Sequence, residues 1–240
     1  MLPVQHPDMS RRANAAARCP RCRLHGSLCI CALIVPIATR TRLLLITHRS
    51  EDRKSTNTGR LATLCLTNSE VIVRGNESNP TPPFQPDPSS DAVFLFPFEG
   101  AVPLTEYAGS SRSITLIVPD GTWRQASKVR NRVGGLREIP CVSLPPGLPS
   151  TYRLRFEAHA HGLATIEAIA RAMGVLEGQA ARASVELAFR AMVERTLWSR
   201  GEIATEDVTS GIPAGAMRHD PRSGLARTGR PPLSCRRSPS

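Results

Sequence analysis

Short, largely unbroken apolar runs recur along the first two thirds of the chain, and polar residues or prolines close them. The runs cover residues 43–47, 70–73, 92–96, 114–118 and 139–144. Runs of this length are typical of strands covered on both faces, as in the parallel sheet of an α/β protein. The pattern therefore predicts an α/β fold with a mostly parallel sheet.

Helical spacing appears between and after these runs. Residues 59–66 have the pattern of a short helix. Thr122 and Gln125 have the form of a capping box, which predicts a helix from Thr122 to about Val133. In the last third of the chain, apolar residues recur every three to four positions, which predicts two helices, the second ending near Trp198.

Polar segments divide the chain into four parts. With 240 residues, it can bury one substantial core, so we expect a single catalytic domain. The expected parts are a flexible lead, a zinc-binding module, the catalytic domain with a Pro-rich insertion, and a disordered basic tail. Their bounds are 1–18, 19–36, 37–202 with the insertion at 76–91, and 203–240.

Neither a membrane span nor an export signal is predicted. No apolar run is long enough to cross a bilayer. Residues 1–18 lack the apolar core of a signal peptide. We therefore expect a cytoplasmic protein without a membrane partner.

Four of the seven cysteines lie in one short segment. Cys19, Cys22, Cys29 and Cys31 have the spacing C-x2-C-x6-C-x-C, so that two close pairs can supply a tetrahedral thiolate site. Because disulfides are disfavoured in the cytoplasm, we favour a structural zinc ion over free or oxidised thiols. His25 is an alternative ligand.

The formal net charge of +11 is concentrated at the ends of the chain. Residues 1–42 carry +6 and residues 218–240 carry +5, whereas the middle is neutral. Cationic ends on a neutral core indicate a polyanionic partner such as nucleic acid. The alternative is a compositional preference for Arg, with 29 Arg against 2 Lys, and a merely solvated tail.

Asp120 follows the apolar run 114–118. It would lie at the carboxyl end of a buried strand, which is the edge where ligands bind in open α/β sheets. We therefore interpret Asp120 as a functional carboxylate rather than a turn former. Thr122 is better explained as a helix cap, and Trp123 either offers an aromatic face to a base or anchors the core.

Three basic residues follow at i, i+4 and i+8 of the predicted helix. These are Arg124, Lys128 and Arg132. Like charges on one face weaken an isolated helix. The stripe therefore indicates either a phosphate-binding surface or an ordinary solvated face.

Five motifs in this order resemble the DTW-domain family. They are the cysteine module, THRSEDRKSTNTGRLA at 47–62, LFP at 95–97, VPDGTW at 118–123, and YRLR…LATIEA between 152 and 168. The family is similar to the knotted SPOUT-type methyltransferases and includes tRNA-uridine aminocarboxypropyltransferases. The resemblance implies a SPOUT-like knotted fold, S-adenosylmethionine as cofactor and tRNA as partner.

The resemblance implies the cofactor loops, and the residue patterns described above give the other site candidates. The implied cofactor contacts are Leu95, Phe96, Pro97, Val118, Pro119, Leu163, Thr165 and Glu167, with Arg153 or Arg155 holding the cofactor's carboxylate. The catalytic candidates are Asp120, Thr122 and Trp123. The RNA-binding candidates are His48, Asn57, Arg60, Arg124, Lys128 and Arg132. For the loop residues among them, including the neighbouring Glu51, solvated roles remain open.

The favoured activity has two alternatives. We expect a 3-(3-amino-3-carboxypropyl)uridine product, with Asp120 accepting the imide proton or fixing the imide for attack. An RNA methyltransferase would use the same cofactor and similar loops. A non-catalytic zinc-containing RNA-binding protein would rely on the basic ends alone.

Overall fold

The computed structural model describes residues 17–54, 56–78, 80–154 and 162–218. The chain divides into two compact units. Ile34–Phe189 forms the larger one, here called the sheet unit. Met1–Leu33 and Arg190–Ser240 form the other, here called the cysteine unit.

Helices and strands alternate along the described chain. The strands are β1 Arg42–His48, β2 Ser69–Arg74, β3 Ser90–Leu95, β4 Val102–Pro103, β5 Ser113–Asp120 and β6 Cys141–Ser143. The helices are α1 Arg49–Asp52, α2 Gly59–Cys65, α3 Trp123–Ala126, α4 Val129–Arg132, α5 Thr165–Leu176 and α6 Gln179–Arg200. Short 3-10 turns span Gly26–Leu28, Cys31–Leu33 and Leu104–Tyr107.

The six strands form one sheet in the order β2-β1-β5-β3-β6-β4. Every neighbouring pair is parallel. The predicted α/β class is therefore confirmed, and the described sheet is entirely parallel rather than mostly so. Parallel neighbours place their carboxyl ends at one edge, which is where the candidate site lies.

Both faces of the central strands are covered, as the unbroken apolar runs predict. On one face, Leu44 and Ile46 of β1 pack with Phe94, Ile117 and the buried residues of the 126–139 segment. On the other face, Leu45 meets Gly59 at the start of α2. Because side chains alternate along a strand, this pattern makes β1 a core strand with two apolar faces.

The helix predicted from Thr122 to Val133 is wrong as a single element. Two four-residue helices, α3 and α4, replace it and are separated by Ser127 and Lys128. The Ser127 hydroxyl donates to the Arg124 carbonyl at 3.3 Å, a local bond that competes with helix continuation. The predicted end is confirmed, because α4 ends at Arg132 with Val133 as its C-cap, and Val133 also packs in the core.

Three other bounds differ from the prediction. The last strand, expected at 139–144, is limited to Cys141–Ser143. In the Pro-rich insertion, Phe84 packs against the core and its N–H donates to the Gly134 carbonyl at 2.8 Å. Within the expected tail, Val208 is buried beside Trp198. Apolar side chains thus anchor part of each segment that composition alone marks as unstructured: Phe84 in the first, and Ile203, Val208, Ile212 and Ala216 in the second.

Within the described ranges, no helix is both long enough and apolar enough to cross a membrane.

Candidate functional site

The candidate site is built around Asp120, at the carboxyl edge of the sheet. Asp120 is the last residue of β5 and lies opposite Thr47 of β1 in the parallel register. The two strands are adjacent although many residues separate them in the chain. The apolar runs therefore deliver a polar residue from each strand to the same point.

Three neutral groups donate hydrogen bonds to the Asp120 carboxylate. The Thr47 hydroxyl donates to Oδ2 at 2.9 Å, and the Asn57 side-chain amide donates to the same oxygen. The Thr165 hydroxyl donates to Oδ1 at 2.6 Å. Because a carboxylate has about four acceptor positions, one position on Oδ1 remains for a further donor.

Local structure fixes these donors. The Asn57 side-chain oxygen accepts a hydrogen bond from the Arg60 N–H at 3.0 Å, which turns its amide nitrogen toward Asp120. Thr165 is the first residue of α5. Gly59 passes so close that a Cβ there would lie 3.0 Å from the Asp120 carboxyl carbon. The carboxylate therefore joins β1, the start of α2 and the start of α5.

The negative charge of Asp120 has no positive partner in the described ranges. The side chain is 3 % exposed, and its three hydrogen-bond donors are all uncharged. Buried charges are usually paired with an opposite charge. An unneutralised carboxylate held in place by dipoles is suited to attract a cationic ligand.

Thr122 and Trp123 lie just beyond the carboxylate. Thr122 caps α3, because its hydroxyl accepts from the Gln125 N–H at 3.3 Å while the Gln125 side-chain oxygen accepts from the Thr122 N–H at 2.8 Å. The predicted capping box is therefore confirmed. Trp123 is 41 % exposed, and its ring lies 4.8 Å from that of buried Phe96. The Trp123 ring is therefore partly exposed and partly packed on Phe96.

The remaining loop residues implied as cofactor contacts lie along the same edge. Leu95 and Phe96 are buried at the end of β3, while Pro97 is exposed. Val118 and Pro119 are buried within β5. The pairing of β5 with β3 ends at Ile117. Pro119 lies beyond that point, so its lack of an N–H group interrupts no hydrogen bond with β3.

Glu167 is buried and saturated by the chain itself. Its carboxylate accepts from the Thr151 N–H at 2.7 Å, the Ser150 hydroxyl at 2.5 Å and the Ala164 N–H at 2.9 Å. Its observed role is to hold the 150–151 loop against the start of α5. This role was missed from the sequence, although a Glu three residues after a helix start is a known signal for it.

The segment before α5 contacts the 47–62 motif. The Tyr152 hydroxyl donates to the Thr56 carbonyl at 2.9 Å, next to Asn57. Arg153 is exposed and Leu163 is half-buried. Arg155, the other candidate for the cofactor's carboxylate, lies outside the described residues.

The basic RNA-binding candidates are distributed around the site. Arg124 and Arg132 are exposed and Lys128 is half-buried, but the break between α3 and α4 removes the single-helix stripe on which their spacing was argued. Arg60 pairs with Asp52 at 2.6 Å. His48 is the last residue of β1 and lies opposite Arg74 in the register. Sequence analysis did not single out Arg74.

The cysteine unit contains a separate cluster of thiols. The sulfurs of Cys19, Cys22, Cys29 and Cys31 all lie within 4.8 Å of one another. The Cys19–Cys31 sulfur distance is 3.6 Å and the Cys22–Cys29 distance is 3.7 Å. A tetrahedral zinc site with Zn–S bonds of about 2.3 Å needs sulfurs about 3.8 Å apart. The cluster therefore has the dimensions that a zinc ion requires.

The surroundings of the thiols also suit a metal. Burial raises the pKa of Cys22 and of Cys31. Burial also acts to raise the pKa of Cys19, but hydrogen bonds from the backbone at Cys22 and Arg21 and from neighbouring thiols outweigh it and lower the pKa to about 6. Arg195, buried in the same unit, donates to the Cys29 carbonyl at 2.6 Å. A nearby guanidinium offsets part of the negative charge that four thiolates would bring.

Comparison with known proteins identifies the family. The DTW-domain model matches residues 16–197, from the cysteine cluster to the end of the helical region. The chain belongs to the DTW-domain family. The match includes both the thiol cluster and the Asp120 site, so the two features are parts of one family pattern.

Curated relatives of this DTW-domain chain are named tRNA-uridine aminocarboxypropyltransferase 2. The Drosophila melanogaster protein is 26 % identical over 173 residues, covering 69 % of each chain. The Macaca fascicularis protein is 28 % identical over 69 % of this chain and 58 % of its own length. The Mus musculus protein is 28 % identical over 73 % of this chain and 60 % of its own length. No solved structure matches the chain.

Proposed function

We propose that this DTW-domain protein transfers the 3-amino-3-carboxypropyl group of S-adenosylmethionine to the imide nitrogen of a tRNA uridine and releases methylthioadenosine. The names of its relatives support this activity. The observation that carries it in the chain itself is the buried carboxylate of Asp120 at the carboxyl edge of a parallel sheet, which has only uncharged hydrogen-bond donors among the described residues. The activity also agrees with the cytoplasmic location expected from the sequence.

The charge of Asp120 fits a sulfonium cofactor. When bound, the sulfonium would supply an electrophilic methylene carbon. The new bond would form between this carbon and the uridine imide nitrogen, while the carbon–sulfur bond breaks and leaves its electron pair on sulfur. Asp120 attracts a cation more strongly than a neutral thioether, so its charge favours binding of the donor over retention of the product. Thr47, Asn57 and Thr165 keep the carboxylate fixed, which avoids reorganisation during the reaction.

Asp120 also has a role toward the uridine. Its free acceptor position on Oδ1 can take the imide proton or hold the imide N–H in place. The ring of Trp123, which is 41 % exposed, is the proposed stacking surface for a base. The loops at Leu95–Pro97 and Val118–Pro119 and the start of α5 would enclose the cofactor, with Arg153 or Arg155 toward its carboxylate.

The tRNA is held by basic residues around this edge. His48, Arg124, Lys128 and Arg132 are the proposed phosphate contacts. In the cysteine unit, Cys19, Cys22, Cys29 and Cys31 would bind zinc. Because four thiolates fill a tetrahedral site, this zinc has a structural role and leaves no position for a substrate.

Labelled cofactor tests the proposal. The full-length protein is incubated with unmodified tRNA and S-adenosylmethionine labelled either in the methyl group or in the carboxyl carbon. We expect only the carboxyl label to enter the RNA, since only aminocarboxypropyl transfer carries that carbon. Incorporation of the methyl label would indicate a methyltransferase. Incorporation of neither label, with tRNA binding intact, would indicate a non-catalytic RNA-binding protein.

A further inference from the structure

Arg74 is a buried cation without the partners that such a group normally has. It is the last residue of β2 and is 6 % exposed. Its Nε and Nη2 atoms are buried, and neither has a hydrogen-bond partner in the described part of the chain. Leaving a buried charged donor unsatisfied is strongly destabilising. Such a group indicates a ligand that supplies the missing acceptors.

Other cations surround Arg74. In the parallel register it lies opposite His48, the last residue of β1. Burial lowers the pKa of Arg74, and the charge of Arg132 lowers it further. Burial likewise lowers the pKa of His48, followed by the charges of Arg74, Arg49 and Arg132. Positive charges this close repel one another, and a bound anion would relieve the repulsion.

One acid offsets part of this positive charge. Glu51 is the acid whose charge acts on His48. Its Oε1 oxygen pairs with Lys54 at 2.5 Å. Arg49 and Arg132, whose charges act on His48, are both exposed to solvent.

The hydrogen bonds of His48 make its other ring nitrogen a donor. The Ser50 N–H donates to Nδ1 at 3.2 Å, and the Ser50 hydroxyl lies 2.7 Å from the same nitrogen. A neutral ring that accepts at Nδ1 carries its proton on Nε2. That edge lies against Gly75, where a Cβ would be 2.4 Å from Nε2 and where φ is +86°. Glycine thus lets the donor approach the end of β2.

We propose that Arg74, His48 and Arg132 bind a phosphodiester of the RNA substrate. This site rests on the proposed function, since its ligand is the RNA substrate. It lies near the candidate catalytic site, because β1 alone separates β2 from β5 and Asp120. With strands about 4.8 Å apart, the phosphate would lie on the order of 10 Å from the reacting edge. It would hold the strand that carries the target uridine and orient the base toward Asp120.

Replacing the arginine by a residue of similar length tests the site. Arg74→Met removes the charge without leaving an orphaned partner, so the variant should melt at or above the wild-type temperature. We expect tRNA affinity to fall about 10- to 100-fold, since a charged hydrogen bond is lost. The slope of log K against log salt should become shallower by about 0.7 to 0.9, as expected for one phosphate contact.

Two further variants complete the design. Arg132→Gln changes an exposed residue, so it tests the site independently of folding, and it should flatten the salt slope similarly. Arg42→Met is the matched control, because Arg42 begins the neighbouring strand β1 at the opposite edge and pairs there with Glu70. This control should bind tRNA with wild-type affinity and slope.

The outcomes separate this site from the proposed function. Unchanged tRNA affinity and salt slope in both Arg74→Met and Arg132→Gln would overturn the phosphate site even if the wild type performs the transfer. Weakened binding of S-adenosylmethionine with unchanged tRNA binding would assign the arginine to the cofactor's carboxylate and also overturn it. If the variants lose RNA binding as predicted but the wild type transfers no group, the phosphate site would be supported and the proposed reaction refuted.

Discussion

Replacing Asp120 by asparagine removes a charge while retaining a hydrogen-bond network. With the Asn oxygen in place of Oδ2, it still accepts from Thr47 and Asn57. The new amide group then faces Thr165, whose hydroxyl can accept instead of donate. Asp120→Asn is therefore a change of charge in an almost unchanged shape, unlike Asp120→Ala, which leaves three donors without an acceptor.

The stability effects of the two variants should differ. Each of the three hydrogen bonds weakens by about 1 kcal/mol when its acceptor becomes neutral, about 3 kcal/mol in total. Relief of the desolvation cost of a buried ion, several kcal/mol, offsets this loss. We therefore expect the free energy of unfolding of Asp120→Asn to lie within about 2 kcal/mol of wild type. Asp120→Ala should lose about 3 kcal/mol or more.

Activity should be lost in both variants. We expect transfer by Asp120→Asn to fall about 100-fold or more, the effect of removing one preorganised electrostatic group. Calorimetry should show weaker binding of S-adenosylmethionine but unchanged binding of neutral methylthioadenosine. Asp91→Asn, which removes a partly exposed carboxylate at the start of β3, is the matched control and should transfer normally. Wild-type transfer by Asp120→Asn would refute the electrostatic role.

Three other perturbations test the surroundings of the two sites. Gly59→Ala places a methyl group 3.0 Å from the carboxyl carbon of Asp120, so transfer should fall. Gly174→Ala in α5 meets only the flexible side chain of Arg182 and should leave the kinetics unchanged; equal rates in the two variants would contradict the close approach of Gly59 to Asp120. Cys22→Ser removes one thiol of the cluster, so zinc content measured by atomic emission should fall, and full zinc stoichiometry would argue against a four-thiolate site. Arg132→Ala removes a positive charge that lowers the pKa of His48, so an NMR titration should give a higher His48 pKa than in wild type; an unchanged value would place the two groups too far apart to interact.

The sheet could be predicted because its strands are encoded locally. The runs at 43–47 and 114–118 are apolar apart from one threonine each, and both became buried central strands. The two-residue strand Val102–Pro103 carries no such signal and was missed. The break between α3 and α4 was missed because the hydrogen bond from the Ser127 hydroxyl to the Arg124 carbonyl leaves no trace in the spacing of apolar residues.

The candidate site could be predicted only in part. Asp120 stood out because it follows a buried run and precedes a capping box. Its partners Thr47 and Thr165 depend on which strand and which helix lie beside β5, and strand order is not contained in periodicity. The same reason hid Arg74, whose burial and missing partners appear only once β2 is paired with β1. The cysteine cluster needed no such knowledge, because its ligands are close in sequence.

Mass analysis of the modified nucleoside tests the central claim most directly. Unmodified tRNA is incubated with S-adenosylmethionine and either wild-type protein or Asp120→Asn, then digested to nucleosides. The wild type should yield 3-(3-amino-3-carboxypropyl)uridine together with methylthioadenosine, and the variant should yield neither above background. A methylated nucleoside from the wild type, or equal yields of the aminocarboxypropyl product from both proteins, would contradict the role assigned to the buried carboxylate.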